Sequence, residues 1–328
     1  MMKKYLYMLL VFAMFAMSMA GCAPEATPAA PAAPAAEAPA AAAPAAAAPA
    51  AEAPAAAASD EPIKIGYIGA LSGETAVWGQ AGLNGLQLTA KEINANGGIL
   101  GRQVEIIGLD GRGKPEDSVN ALNKLIDEDK VLAVIGTNFS SCNIPMAPIA
   151  DAKQVPLIAT AASNPKVTVD ENGKLHPYSF RIGFIDPFQG EVLASFAYTK
   201  LNAKTAAIIT NIADDYSTGL SNFFESKFTS LGGTIVTKVE AQSGDNDYRA
   251  QLSKIAEAKP DVIVVPWIYK DVALIANQAR ELGITAPMVG GDSWDSKELL
   301  TMAGPALEGC YYTSQPSFAN PATKPFAD

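Results

Sequence analysis

The sequence predicts an α/β fold built as two doubly wound lobes. Three observations carry this. Short runs that are apolar on both faces recur along the chain, and such strands belong inside parallel sheets covered by helices. Each run is followed by a segment of helical period, so strand and helix alternate. The alternation runs once from Ile63 to Ser163, is interrupted near Arg181, and restarts at Thr205.

The first strand is Ile63 to Leu71, within IKIGYIGALSGETAVWG. Ser72-Gly73-Glu74-Thr75-Ala76-Val77-Trp78 reads as a loop, with a helix from about Gln80 that carries Leu83, Leu86, Ala90 and Ile93. Asn96-Gly97-Gly98 stops it. Val104 to Leu109 is the second strand, and Pro115 opens a helix from its favoured first-turn position. Val131 to Ile135 is the third strand, followed by Asn138-Phe139-Ser140-Ser141-Cys142 and a helix to about Lys153. Val155 to Ala159 is the fourth, followed by Thr160-Ala161-Ala162-Ser163. A segment around Arg181 to Pro187 crosses to the second lobe, where a helix begins near Asp186. The second series has strands at Thr205 to Thr210, Thr234 to Val239, Val262 to Val265, Met288 to Gly290 and Cys310 to Thr313. Its helices reach Leu231, run from Tyr248 to Ala258, and end at Leu282. A second crossing is expected around Ser314 to Asn320. Residues 59–181 are assigned to lobe one, 182–313 to lobe two, and 314–328 to the second crossing and the start of a return. Small and hydroxyl residues follow most strands, and open α/β sheets bind ligands just past those carboxyl ends.

Residues 1–22 read as a secretory signal: Lys3 and Lys4 precede an apolar core from Tyr5 to Met19. The ending Met19-Ala20-Gly21-Cys22 resembles the bacterial lipobox, which implies lipidation of Cys22. An ordinary cleaved signal with an incidental cysteine is the plainer alternative. Residues 23–58 are almost entirely Ala and Pro; the prolines deny them a stable helix, and they have little to bury. A disordered spacer is expected, with a polyproline-like reach on the order of 100 Å.

The formal net charge is -10 and there is no basic run, which argues against nucleic-acid binding. The single histidine, His176, sits in a hairpin-like GKLHPY stretch and reads as a surface loop residue. Paired-histidine metal sites are thereby excluded. No phosphate-binding glycine motif, CxxC or HExxH is present, so no cofactor and no metal are expected. Ser140-Ser141-Cys142 lacks the glycines of a nucleophile elbow. Whether Cys142 and Cys310 pair is open at this level.

IGALSG with a following WG, INANGGILGRQVE, a VIG strand followed by Ser-Ser, TAASNP and GGDSW together resemble the leucine/isoleucine/valine-binding protein family, over roughly Pro62 to Pro321. The resemblance implies a type I periplasmic-binding fold: two lobes, three crossing segments, and an interlobe cleft that closes on its ligand. It implies no enzymatic activity. It also implies that the chain stops soon after its second crossing, short of the family's further helices.

Carried over, Trp78 matches an aromatic lining the side-chain pocket, and Ser140 a serine that binds the ligand carboxylate. Ala161 and Ser163 match the polar clamp after the fourth strand, with Ser141 and Ala162 beside them as candidates. Tyr216 matches a closing tyrosine, and Asp292 an acid that pairs with the α-ammonium, with Trp294 ending the same motif. Trp267, Ile268 and Tyr269 lie where the family has another closing aromatic.

The chemistry stands without the family. A zwitterion needs donors for its carboxylate and an anion for its ammonium, because an unpaired buried charge costs several kcal/mol. Each residue also has a plainer role: Trp78 as packing, the serines as helix caps, Asp292 as a turn residue.

The resulting expectation is an extracytoplasmic, lipid-anchored, monomeric solute-binding protein of an ABC importer. It would lie in the periplasm or on the outer face of the cytoplasmic membrane, capture an amino acid of branched-chain type or a related one, and deliver it to permease subunits. A sensory receptor of the same fold, a binder of a small amide or aromatic acid, and an amide hydrolase are the alternatives.

Overall fold

In the computed structural model, residues 61–315 and residue 321 are described. The signal, Cys22, the Ala/Pro spacer and most of the second crossing lie outside them. Among the described residues, no helix is long and apolar enough to cross a membrane.

The first sheet holds β1 (Ile63–Gly69), β2 (Val104–Asp110), β3 (Ala133–Ile135), β4 (Leu157–Ala159) and β5 (Ser179–Arg181), in the order β2-β1-β3-β4-β5. All pairs are parallel. Helices α1 (Ala76–Ala95), α2 (Pro115–Asp127) and α3 (Ser140–Lys153) connect them. The second sheet repeats this winding with β6 (Thr205–Asn211), β7 (Thr234–Ala241), β8 (Val262–Val264), β9 (Met288–Gly290) and β10 (Tyr311–Tyr312). Its order is β10-β9-β8-β6-β7, also parallel throughout. Helices α4 (Asp186–Thr199), α5 (Asp215–Ser230), α6 (Arg249–Ala258), α7 (Tyr269–Glu281) and α8 (Lys297–Ala303) cover it.

The burial follows from the two-sided apolar strands. Ile68, Leu122, Leu125, Val134, Met146 and Leu157 form one core in the first lobe. In the second, Ala207, Ile209, Ile263 and Val265 face one layer of helices. Ile208, Val262, Val264 and Val289 face the other, against Leu220, Phe224 and Phe228. Neighbouring residues of one strand thus serve opposite cores, as the pleat requires.

Local chemistry sets the helix ends. Pro115 starts α2 with Glu116 and Asp117 in its first turn and Lys124 in its last, which suits the helix dipole. The Asp214 side chain caps α5 by accepting from the Tyr216 amide at 3.3 Å.

Several boundaries differ from expectation. α1 begins at Ala76 rather than near Gln80, so Trp78 is helical. The glycine at 79 permits this: a Cβ there would lie 2.1 Å from the Ala70 carbonyl oxygen, and without one the helix start packs directly on the end of β1. β4 begins at Leu157, just past Pro156, which has no N–H to give a ladder. Residues 179–181 add a fifth strand at the sheet edge.

His176 is not a free surface residue. Its side chain is 14% exposed and its Nδ1 lies 2.6 Å from Asp151 Oδ2. Cys142 and Cys310 are both unpaired thiols, in different lobes.

Candidate functional site

A strand order of 2-1-3-4-5 has its switch point between the first and third strands, where connections leave toward opposite faces. The same point occurs between β6 and β8. The residues beyond these strand ends converge on a cavity of about 160 Å³ lined from both lobes. That is small beside a drug-sized pocket.

From the first lobe, Trp78 comes from α1, Asn138, Phe139 and Ser140 from the end of β3, and Ala161 and Ser163 from the end of β4. Ser140 is the first residue of α3 and is buried; its Oγ accepts from the Asn164 amide at 3.2 Å. This fixes the hydroxyl between the loops after β3 and β4. Ser163 is 2% exposed. The Arg181 guanidinium holds the loop from behind, donating to the carbonyls of Ala162 and Asn164 at 3.1 and 2.9 Å. It also donates to Thr168 Oγ1 at 2.8 Å.

From the second lobe, Asp214 and Tyr216 follow β6, Ile268 follows β8, and Asp292, Ser293 and Asp295 follow β9. The Tyr216 hydroxyl donates to Asp292 Oδ1 at 3.2 Å, and the Asp292 amide donates to Gln189 Oε1 at 2.7 Å. Gly291 makes room for this, since a Cβ there would lie 2.0 Å from the Tyr216 hydroxyl. Ser314 and Gln315, where the chain leaves β10, complete the wall.

The lobes touch around the cavity. Trp78 meets the Tyr269 ring edge-on at 5.0 Å between centroids. The Tyr269 hydroxyl donates to the Glu74 carbonyl at 2.8 Å, and Lys270 pairs with the Glu74 carboxylate. Asn164 Nδ2 donates to the Asp215 carbonyl at 2.7 Å.

Electrostatically the cavity is one-sided. Burial pushes the Asp214 carboxyl up to about 6, against the pull of the Tyr216 and Ser217 amides. Burial also raises Asp292, opposed by the Tyr216 hydroxyl and Gln189. Behind them Asp186 has no exposed surface, and neither carboxylate oxygen has a well-formed hydrogen bond. Burial pushes it up to about 7; Ser163 pulls it down, the carboxylates of Asp292 and Asp214 push it further up, and Arg181 offsets part of that. Among the described residues, no group of His, Cys, Asp and Glu is arranged to hold a metal ion.

Of the residues singled out in the sequence, Trp78, Ser140, Ala161, Ser163, Tyr216, Ile268 and Asp292 meet at the cavity. Ser141 lies beside it, near enough to pull the Asp214 carboxyl down slightly. Ala162 packs inside lobe one with Ala159 and Val167. Trp267 and Trp294 belong to the lobe-two core, 1% and 2% exposed, with their indole N–H groups donating to the carbonyls of Ile209 and Val265. Neither lines the cavity, and nor does Tyr269, which packs edge-on against the cavity residue Trp78. Asn138, Phe139, Asp214, Ser293, Asp295, Ser314 and Gln315 were not foreseen. The first five lie within three residues of a foreseen residue, so scanning each strand end more widely would have found them.

Known proteins resemble this chain over the same region. A family described as "Periplasmic binding protein" matches residues 62–328. An amino acid binding protein of Pseudomonas aeruginosa is 31% identical over 242 residues, 74% of this chain; the match spans 63% of that relative's length, less than two thirds. The crystal structure of a leucine binding protein from Thermotoga maritima is 39% identical, with a TM-score of 0.74 over 80% of this chain and 74% of that one. A branched-chain amino acid transporter substrate binding protein from Streptococcus pneumoniae, solved with isoleucine, is 35% identical, with a TM-score of 0.67 over 74% of this chain and 67% of that one.

Proposed function

Since the chain belongs to the periplasmic binding protein family, in its leucine/isoleucine/valine-binding branch, we propose that it captures an amino acid in the interlobe cavity and delivers it to the permease of an ABC importer. It does so outside the cytoplasm, as a monomer tethered through lipidated Cys22 and the spacer of residues 23–58, and without chemical conversion of the ligand.

One observation carries the reading. The cavity takes buried hydroxyls, Ser140 and Ser163, from one lobe and carboxylates, Asp214 and Asp292, from the other. A zwitterion bridges these two halves. Its carboxylate accepts from the serines and from amides at the start of α3. Its ammonium pairs with Asp292, whose Tyr216 partner holds it in place. Neither lobe alone satisfies both charges, so the ligand favours the closed arrangement through its differential contacts. Trp78, Phe139 and Ile268 supply apolar wall for the ligand side chain.

The test is a thermal-shift panel of free amino acids beside their N-acetyl and amide derivatives. Free amino acids should stabilise the protein, and removal of either charge should abolish the shift. Equal stabilisation by an N-acetyl derivative would overturn the ammonium clamp.

A further inference from the structure

A ligand carboxylate would find no cation in the cavity wall: no lining residue is Lys, Arg or His, and Asp214, Asp292 and Asp295 make the wall negative. The cation placed to offset this is Arg181, the last residue of β5, which stands behind the loop after β4. Its guanidinium donates to the carbonyls of Ala162, Asn164 and Pro165 at 3.1, 2.9 and 3.3 Å, and to Thr168 Oγ1 at 2.8 Å. All four acceptors are neutral. The acid that acts on the guanidinium is Asp186, through space.

The same bonds set which way the loop backbone faces. The carbonyls of Ala162, Ser163 and Asn164 are consecutive, and all three accept from the first crossing. The outer two take the Arg181 guanidinium, and the middle one takes the Asp186 amide at 3.0 Å. In a trans peptide the N–H points opposite to the carbonyl. With the Ala162 carbonyl on the guanidinium, the Ser163 N–H points away from Arg181. It donates to no group among the described residues, although Ser163 is buried. Buried backbone N–H groups are rarely left so. Ser163 lines the cavity and Arg181 does not.

Resting on the reading of the cavity as an amino-acid site, we propose that Arg181 is the positioning residue for the ligand carboxylate. It draws the loop carbonyls back from the cavity, which leaves the Ser163 amide and hydroxyl to donate. It also supplies, from behind the loop, the positive charge that the wall lacks. The ligand is then held between Arg181 behind the first lobe's wall and Asp292 in the second lobe's, with the loop after β4 passing the charge of Arg181 forward.

Leucine and leucinamide share shape and ammonium and differ by the carboxylate, so calorimetry with the full chain isolates its recognition. The parent should bind leucine the more tightly. Arg181→Met should weaken leucine about tenfold to a hundredfold, the range of one hydrogen bond to a charged group, and leave leucinamide nearly unchanged. A purely structural role would weaken both alike. Arg181→Lys keeps the charge but not the planar fork that meets four acceptors, so it should show a smaller loss confined to leucine; it also reads the effect if Arg181→Met does not fold. A leucine-to-leucinamide ratio that stays at the parent value in either variant overturns this inference and leaves the amino-acid reading standing. A parent that binds no leucine, or binds leucinamide as tightly, overturns the inference together with the reading beneath it.

Discussion

Asp186→Asn should change the pH dependence of stability strongly. Asp186 opens α4, has no exposed surface, and faces the carboxyls of Asp292 and Asp214. Its folded pKa is pushed up to about 7, from an ordinary value of 3.8. Between those values the folded state binds a proton that the unfolded chain has released. Stability is therefore lost as pH rises from about 4 to about 7, and the loss is complete above that. Roughly three pH units at about 1.4 kcal/mol each sets the scale at about 4 kcal/mol. Asparagine keeps the shape and carries no titrating proton. At pH 4 parent and variant should melt together; at pH 8 the variant should melt higher, by on the order of 10 °C. Scanning calorimetry at pH 4, 6 and 8 reads this directly. A difference in melting temperature that is the same at pH 4 and pH 8 would refute the reasoning, because Asp186 would then ionise normally in the fold.

Three further outcomes follow from named contacts. Gly79→Ala should lower stability by about 1–3 kcal/mol in urea unfolding, since the new Cβ meets the Ala70 carbonyl and α1 must shift from β1; an unchanged midpoint would show that the helix start yields freely. Lys270→Ala combined with Tyr269→Phe removes the exposed Glu74 ion pair and one hydrogen bond between the lobes, about 1–2 kcal/mol in all. Small-angle scattering of the ligand-free protein should then show a larger radius of gyration, and an unchanged radius would mean that these contacts do not hold the lobes together. Cys22→Ala should abolish incorporation of a fatty-acid probe; label retained by the variant, or absent from the parent, contradicts the tether.

The two-lobe architecture was legible because the strands are apolar on both faces and punctuated by Gly, Pro and polar loops. Half of the cavity was legible for the same reason: once a strand end is placed, Ser140, Ser163, Tyr216 and Asp292 fall beyond it. The aromatic assignments show where this stops. Trp267 shares strand parity with Ile263 and Val265, and all three bury in one core layer. Extending the pleat three residues past Val264, the end of β8, predicts that burial, whereas proximity to the strand end alone does not. Trp294 follows a strand end as Asp292 does, yet its ring folds back over Gly290 and only the carboxyl reaches the cavity. Nothing in a linear pattern decides which side chain of a short turn points inward. Asp214 was hidden by its service as a helix cap, which is sufficient reason for an Asp there. Ser314 and Gln315 belong to a segment whose approach depends on how the lobes meet, a property of tertiary closure and not of local sequence.

The central claim is that carboxyl and hydroxyl groups from opposite lobes clamp the two charges of an amino acid. Calorimetry with the best-binding amino acid of the thermal-shift panel, on the parent, Asp292→Asn and Ser140→Ala, tests it most directly. Removing one partner of a buried, hydrogen-bonded charge pair costs about 2–5 kcal/mol, so Asp292→Asn should weaken binding roughly thirtyfold to several thousandfold. Ser140→Ala deletes one hydrogen bond to a charged group and should cost about 1.5–3 kcal/mol. The predicted order is parent, then Ser140→Ala, then Asp292→Asn as the weakest. Binding by Asp292→Asn as tight as the parent's would contradict the account and leave Asp292 as a turn residue beside the cavity.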